Sequence, residues 1–387
     1  MTTALLHTAD VLLWIIMAVS VGYVVFFAIV SLFRRRDKQP AVAIVQSRFL
    51  VLFPAYNEDL VIRNSITSFL QQDYPHSHFQ LTVISDHMLP ETNQWLGEQP
   101  VRLLLPDFQN SSKAQALQYA IALTHDDFDY VVILDADNMV SADFLTRLNI
   151  LCAQGHKAIQ CHRTAKNSNN DIAELDGVSE EINNTLFRLA HNRIGLSSAL
   201  IGSGMCFDFK WFKHHVDSLS TAGEDRELEG LLLRQGIYIH YAADIIVRDE
   251  KVSSSANFQR QRLRWMTAQI QCLLSMMPYL PHAILTGNIN YIDKTLQQAL
   301  IPRSILLVLT TVMALATLFF MPSWSLKWWC LLLLLALSLI IAIPSRLRTF
   351  KLLRDMLRLP QLVWHMLCNV IHIDTKNTDF IHTSHDK

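Results

Sequence analysis

The chain has 387 residues, of which 51% are hydrophobic and 17% charged, so one large domain would leave apolar residues over for contact with lipid. A net charge of −1 excludes a polycation and gives no indication of nucleic-acid binding. The six cysteines form no CxxC pair and no zinc-type spacing, so we predict neither a disulfide framework nor a zinc site.

The first predicted element is a membrane anchor. Residues 11–33 are 23 consecutive uncharged residues, enough for a helix to cross a hydrocarbon core of about 30 Å. Arg34, Arg35, Arg36 and Lys38 follow at once, and no lysine or arginine precedes the run. This asymmetry predicts an N-terminus outside and a cytoplasmic continuation, and it is the reverse of a cleaved signal peptide. A buried core helix is the alternative.

An α/β pattern follows the anchor, with strands alternating with helices. Asn57 is the predicted N-cap of the first of these helices, and residues 113–124 form a later one. The predicted strands are residues 48–53, 81–85, 101–105 and 130–134. Ligands of open sheets bind beyond the carboxyl ends of strands. The candidates at those ends are Pro54, Tyr56, Glu58, Asp86, Asp135 and Asp137.

Asp135 and Asp137 are separated by one residue at the end of an apolar strand. Mg²⁺ or Mn²⁺ is commonly held by one or two such carboxylates together with substrate phosphates. This spacing therefore favours a metal site at a nucleotide diphosphate. The alternative is that the two aspartates only cap a turn or a helix.

A second acidic pair, Glu224 and Asp225, follows Gly223 and opens a helical run at residues 228–233. Acidic residues are favoured in the first turn of a helix by its dipole, which is one interpretation of the pair. The functional interpretation is that Asp225 is the general base that deprotonates an acceptor hydroxyl.

The QRLRW segment, residues 261–265, lies within a predicted helix at residues 258–277. Arg262 and Arg264 can bind a diphosphate, and Trp265 can stack on a sugar ring. The alternative is an interfacial helix with snorkelling arginines and a tryptophan at the membrane surface.

The last elements are two apolar runs, residues 304–321 and 328–344, joined only by residues 322–327. They predict a hairpin that returns the chain to the cytoplasmic side, in agreement with Arg346 and Arg348 beyond it. Residues 351–359 predict a further interfacial helix. We therefore expect a three-span protein of the cell membrane with a cytoplasmic catalytic domain and a cytoplasmic C-terminus.

These elements together resemble the membrane-integrated family-2 glycosyltransferases, among them the synthases of cellulose, hyaluronan, chitin and poly-N-acetylglucosamine and the ceramide glucosyltransferases. The resemblance covers about residues 48 to 270. It rests on the PAYNE segment at residues 54–58, Asp86, Lys113, the two aspartates at 135 and 137, Gly202, Ser203, Gly204, the acidic pair at 224 and 225, and the QRLRW segment.

The resemblance implies a GT-A-like nucleotide-sugar-binding domain with a mixed, mainly parallel sheet, and inversion by a single displacement. Asp225 with Glu224 would be catalytic, and Asp137 with Asp135 would bind Mg²⁺ or Mn²⁺. The implied donor-binding residues are Pro54, Tyr56, Glu58, Asp86, Lys113, Asp135, Arg262 and Arg264. The implied acceptor-binding residues are Gly202, Ser203, Gly204, Gln261 and Trp265.

The expected function is metal-dependent transfer from a nucleotide sugar, which the resemblance implies is UDP-linked, to a polysaccharide or surface glycan. A lipid acceptor is the alternative, because three spans are few for a polymer-exporting synthase, and a catalytically silent scaffold is the second. Expected partners are the donor, the glycan or lipid acceptor and membrane lipid, with partner subunits or a homo-oligomer for export left open. The expected divisions are an anchor (1–38), a glycosyltransferase domain (39–255), the QRLRW and interfacial helices (256–299), the hairpin (300–345) and a C-terminal interfacial segment (346–387).

Overall fold

The structure is a computed structural model that describes residues 2–33, 45–167, 171–221, 223–251 and 255–349. The predictions on residues 34–38 and 351–359 lie outside these ranges. The strands are β1 Phe49–Tyr56, β2 Phe79–Asp86, β3 Arg102–Leu104, β4 Tyr130–Ile133, β5 Met139–Val140, β6 Ala158–Ala165, β7 Met205–Asp208 and β8 Ile239–Asp249. The helices are α1 Thr2–Val30, α2 Ile62–Phe69, α3 Pro90–Gly97, α4 Lys113–Ala122, α5 Phe144–Ala153, α6 Asp171–Asn183, α7 Ala190–Arg193, α8 Phe209–His215, α9 Glu224–Arg234, α10 Ser255–Met276, α11 Leu280–Leu285, α12 Ile289–Ala299, α13 Arg303–Phe320 and α14 Pro322–Ala342.

One mixed sheet holds all eight of these strands in the order β3-β2-β1-β4-β7-β6-β8-β5. β1 is parallel to β2 and β4, β2 is parallel to β3, and β6 is parallel to β8. β7 runs antiparallel to β4 and β6, and β5 runs antiparallel to β8. The predicted α/β fold with a mixed, mainly parallel sheet is confirmed. The carboxyl ends of β1, β2 and β4 consequently meet at one edge.

Alternating side chains of the central strands supply two separate cores, as the two-residue period of a strand requires. Leu50 and Leu52 of β1 face a core formed with α4, α8 and α9. Phe49, Val51 and Phe53 face the opposite core, formed with α2 and α5. Because both faces are covered, the strand reads as a continuous apolar run, the pattern of a buried parallel sheet.

The predicted N-cap at Asn57 is wrong. α2 begins five residues later, after Val61, and the side chain of Val61 offers no capping hydrogen bond. Asn57 instead has a φ of 53° and donates its backbone N–H to the carbonyl of Asp86 at 3.2 Å. Asparagine tolerates this left-handed conformation better than most residues, so it serves as a turn residue at the end of β1.

Three helices are long and apolar enough to cross a membrane: Ala4–Val30, Arg303–Phe320 and Pro322–Ala342. The predicted connection at residues 322–327 is wrong, because these residues form the first turns of α14 and Met321 alone separates it from α13. Pro322 occupies the first turn, where a proline's missing N–H and fixed φ suit a helix start.

Polar contacts tie α1 to the rest of the molecule. Asp10, 7% exposed, forms an ion pair with Lys327 and accepts a hydrogen bond from Trp328 Nε1 at 2.8 Å. Nearer the sheet domain, the Tyr23 hydroxyl lies 2.9 Å from both His191 Nε2 and Asp293 Oδ1. These contacts attach the first helix both to the hairpin and to the domain that carries the sheet.

Candidate active site

A cavity of about 330 Å³ opens where β1, β2 and β4 end, and α9 and α10 close its far side. Most of the predicted site residues line this one cavity: Pro54, Tyr56, Glu58, Asp86, Lys113, Asp135, Asp137, Gly202, Glu224, Asp225, Gln261, Arg262, Arg264 and Trp265. Ser203 and Gly204 do not line it. Ser203 is fully buried, and its hydroxyl donates to Asn138 Oδ1.

Lys113, the first residue of α4, reaches the centre of the cavity. Its ammonium forms an ion pair with Asp135, donates to the Gly202 carbonyl at 2.6 Å and lies 3.5 Å from Glu224 Oε1. Burial alone would lower the pKa of Lys113, but Asp135 and Glu224 together raise it above its ordinary value. Lys113 is therefore a fixed positive charge between two acidic segments that are far apart in sequence.

The acidic pair at the start of α9 faces the same space. An added Cβ on Gly202 would lie 3.7 Å from Asp225 Oδ2 and 3.8 Å from Glu224 Oε1. Burial raises the pKa of Glu224 to about 7, and the negative charges of Asp225 and Asp135 act in the same direction. The positive charge of Lys113 opposes this shift but does not cancel it. Asp225 is more exposed than Glu224, whose whole residue is only 7% exposed.

The loop between β4 and β5 carries the other two carboxylates, Asp135 and Asp137, which differ in their exposure to solvent. The side chain of Asp135 is 34% exposed, whereas Asp137 is only 7% exposed as a whole residue. Asp137 Oδ1 accepts from Asn138 Nδ2 at 2.9 Å, and Oδ2 accepts from the Glu250 N–H at 2.8 Å. These bonds orient the Asp137 carboxylate, whose two oxygens can each accept more than one hydrogen bond.

The ends of β1 and β2 form the opposite wall. Tyr56 pairs with Asp86 in the parallel register, and the Tyr56 ring meets the His87 ring edge to face at 5.5 Å between centroids. Asp86 is 3% exposed, and its Oδ1 lies 2.6 Å from Nδ1 of His87, within hydrogen-bonding distance. An aromatic ring and a buried carboxylate side by side offer a stacking surface and a hydrogen-bond acceptor to a ligand.

The QRLRW segment lies on α10, across the cavity from the strand ends. Arg262 forms an ion pair with Asp176, and its guanidinium lies 4.6 Å from the Trp265 ring centroid. Burial lowers the pKa of Arg264, while Glu224 and Asp135 act in the opposite direction. Arg264 therefore faces the same carboxylates that surround Lys113.

Sequence reasoning missed a buried ionic cluster in the cavity wall. Arg163 Nε lies 2.7 Å from Glu180 Oε1 and 3.4 Å from Asp249 Oδ2, and Lys251 pairs with both of these carboxylates. The two cations hold the pKa of Glu180 at about 2, against the effect of its burial. Its members come from β6, α6, β8 and the residues after β8, so no local spacing links them. The available signal was the charged residues within the amphipathic α6 run.

The sequence of this chain is similar to those of known glycosyltransferases. A family model described as Glycosyl transferase family group 2 matches residues 130–343. An N-acetylglucosaminyltransferase of Rhizobium meliloti (strain 1021) is 23% identical over 334 residues, which are 80% of this chain and 75% of that protein. Cellulose synthase 1 of Komagataeibacter xylinus is 29% identical over 96 residues, 24% of this chain and 6% of that protein.

Among solved structures, a mannosyltransferase from Pyrobaculum calidifontis in complex with GDP-Man and Mn²⁺ superimposes with a TM-score of 0.54 at 18% identity. The match covers 86% of this chain and 98% of that chain, and it confirms the predicted GT-A-like fold. The family model spans more than half of the chain and includes both acidic segments and the QRLRW segment. This chain therefore belongs to glycosyl transferase family group 2 and is a glycosyltransferase.

Proposed function

We propose that this glycosyltransferase transfers a sugar from a nucleotide sugar to an acceptor hydroxyl at the cytoplasmic face of a membrane, with inversion at the anomeric carbon. The observation that carries the proposal is the meeting of Asp225, Glu224, Asp135, Asp137 and Lys113 around one cavity. A silent scaffold would have no need to gather these charges around one cavity with Glu224 and Asp137 buried, since buried charge is costly without a role.

In the proposed mechanism Asp225 is the general base. It takes the proton of the acceptor hydroxyl while the hydroxyl oxygen bonds to the anomeric carbon and the bond to the diphosphate breaks. Gly202 supports this role, because with no side chain it leaves the space beside the Asp225 carboxylate open to an acceptor. Glu224 is more buried than Asp225. It contributes to the net charge of the site and does not contact the acceptor.

The donor's diphosphate would lie among the cations of the cavity. Lys113 and Arg264 supply positive charge next to Asp135, and Tyr56 with Asp86 would receive the nucleoside at the strand ends. The relatives named N-acetylglucosaminyltransferase support N-acetylglucosamine as the sugar. UDP is proposed as its carrier because the resemblance to family-2 glycosyltransferases implies it.

The site also fits a divalent cation. Among the described residues no group of three His, Cys, Asp or Glu side chains forms a metal cage. Mg²⁺ and Mn²⁺ do not need one beside a diphosphate, because one or two carboxylates and phosphate oxygens complete their coordination. Asp137, oriented by Asn138 and the Glu250 N–H, and the more exposed Asp135 would hold the ion. When bound, the cation neutralises the charge of the departing diphosphate.

The acceptor would approach from the side of Trp265. This residue lines the active-site cavity and also a second cavity beside the membrane helices. A polysaccharide or a lipid-linked acceptor can satisfy the chemistry at Asp225, and the position of Trp265 next to α13 and α14 favours an acceptor that is held at the membrane.

The test uses membranes that contain the full chain, incubated with radiolabelled nucleotide sugars, with lipid-soluble and polymeric products separated afterwards. We expect transfer from UDP-N-acetylglucosamine that a chelator abolishes and that added Mg²⁺ or Mn²⁺ restores. Asp225→Asn should reduce transfer by roughly 10²- to 10⁴-fold, the range for losing a general base, and should retain donor binding. Asp244→Asn, an exposed carboxylate outside the cavity, is the matched control. Normal turnover in Asp225→Asn would remove the proposed base, and no transfer or hydrolysis from any donor would favour the scaffold.

A further inference from the structure

A second cavity, of about 400 Å³, lies between the sheet domain and the membrane helices. Its walls include residues of α1, α6, α9, α10, α12, α13 and α14. Arg188, Arg262 and Trp265 line both this cavity and the active-site cavity. The two spaces therefore adjoin at Trp265, where the acceptor is proposed to meet the donor.

Part of the wall of the second cavity is apolar. Val24 of α1, Leu307 of α13, and Leu339, Ile340 and Ile343 at the end of α14 form this part of the wall. Aliphatic side chains leave the hydroxyl groups of a glycan without hydrogen-bond partners, which is unfavourable, whereas they suit a hydrocarbon chain. This part of the wall therefore matches the tail of a lipid better than it matches a polysaccharide.

Another part of the wall is cationic. Five positively charged side chains and one carboxylate line the cavity: Arg188, Arg226, Arg262, Lys294, Arg303 and Glu229. Lys294 forms an ion pair with Glu229, and Arg262 forms one with Asp176 in the active-site wall. Even after these pairs are formed, the cavity keeps an excess of positive charge.

Two of the arginines are bound only by neutral groups. Arg188, 4% exposed, donates to Asn184 Oδ1 at 3.0 Å, and its Nε has no hydrogen-bond partner. Arg303 donates to Asn183 Oδ1 at 2.6 Å and to the Ser179 carbonyl at 3.2 Å. Within the part of the chain that the structure describes, neither guanidinium forms an ion pair with a carboxylate. Cations with little exposure and no directly paired carboxylate are costly, so an anionic ligand would stabilise this arrangement.

We infer that the second cavity binds an acceptor lipid whose headgroup carries a phosphate-class anion and a hydroxyl, a proposal that rests on the proposed glycosyl transfer. The anion lies at Arg188 and Arg303, the hydrocarbon chains lie along α1, α13 and α14, and the hydroxyl reaches the active site past Trp265. In the transfer the lipid hydroxyl oxygen bonds to the sugar, Asp225 takes the hydroxyl proton, and the nucleoside diphosphate leaves.

Binding is tested with the full chain in neutral detergent by native mass spectrometry. The probes are short-chain phosphatidylglycerol, which is anionic and carries hydroxyls, the zwitterionic phosphatidylcholine of the same chain length, and inorganic phosphate. We expect phosphatidylglycerol to bind at least tenfold more tightly than phosphatidylcholine. Arg303→Gln should remove this preference, and Arg303→Lys should keep part of it. Arg234→Gln, an exposed arginine that does not line the cavity, should bind like the unaltered protein.

Several results would overturn the inference. Equal binding of both lipids, or an equal loss in Arg234→Gln, would show that the arginine pair does not select an anion. Displacement of the lipid by inorganic phosphate at equal concentration would show a phosphate site without a role for the tail. UDP-N-acetylglucosamine binding in the same samples reports whether Arg303→Gln is folded.

The acceptor role has its own readout, in the radiolabel transfer assay. Phosphatidylglycerol should either become labelled or compete with the membrane acceptor, and a bound lipid that does neither would refute the acceptor assignment. If the unaltered protein neither transfers nor hydrolyses any donor, the proposed function fails while the lipid-binding result stands, so the two failures are distinguishable.

Discussion

Replacing Gly202 by alanine tests whether the space beside the acidic pair is used for catalysis. Gly202 has a φ of 80°, which L-residues adopt at a cost of about 1–2 kcal/mol. An alanine Cβ would lie 3.7 Å from Asp225 Oδ2 and 3.8 Å from Glu224 Oε1, which is ordinary contact without a clash. The stability loss should therefore equal the backbone strain alone, and the methyl group would occupy the face of the Asp225 carboxylate.

Gly236 provides the matched control. Its φ is 69°, and an added Cβ would have no neighbour within 4 Å, so Gly236→Ala carries similar strain far from the cavity. We expect both variants to lose about 1–2 kcal/mol of unfolding free energy. Transfer should fall at least tenfold, or about 1.4 kcal/mol in activation free energy, only in Gly202→Ala.

The assays are thermal unfolding of the purified chain in detergent and radiolabel transfer at saturating donor. Equal activity losses in the two variants would show that strain, and not the space at Asp225, causes the defect. Full activity in Gly202→Ala would refute the proposal that the acceptor uses the space beside Asp225, because the methyl group would fill that space.

Two further predictions concern charge and stacking. The pKa of Glu224 is raised to about 7, so this group is neutral below that pH and ionises as the pH rises through it. Binding of UDP-N-acetylglucosamine should weaken between about pH 6 and 8, because a new negative charge appears beside the diphosphate; Glu224→Gln should abolish this dependence, and an unchanged profile would contradict it. Trp265→Ala should reduce transfer at least tenfold more than donor hydrolysis, and equal losses in the two rates would exclude stacking on the acceptor.

The same raised pKa has a consequence for stability, with a definite sign. Because the pKa of folded Glu224 lies above its ordinary value, the folded state binds the proton more tightly than the unfolded state does. The neutral carboxyl therefore favours the folded state at low pH, and that contribution is lost as the pH rises from the ordinary value to about 7. Thermal unfolding of the unaltered chain and of Glu224→Gln across this range should converge at low pH.

Several features were predictable because they depend on local pattern. Apolar length predicts the three helices that are long and apolar enough to cross a membrane. The alternation of strand and helix patterns predicts β1, β2, β3 and β4 at nearly their observed bounds. The two aspartates after β4 and the acidic first turn of α9 also follow from local signals. The errors at Asn57 and at residues 322–327 concern where helices begin, which short-range patterns specify poorly.

The sequence by itself determines the fold class and the three helices that are long and apolar enough to span a membrane, because periodicity and length of apolar runs carry this information. It also supplies the candidate site residues, whose chemical roles stay predictions. Only the tertiary structure decides which distant charges meet: Lys113 between Asp135 and Glu224, the cluster of Arg163, Glu180, Asp249 and Lys251, and the arginine pair at 188 and 303. The physical reason is that an ionic contact depends on distance in space, and the fold brings together segments that lie as far as 317 residues apart along the chain, as Asp10 and Lys327 do.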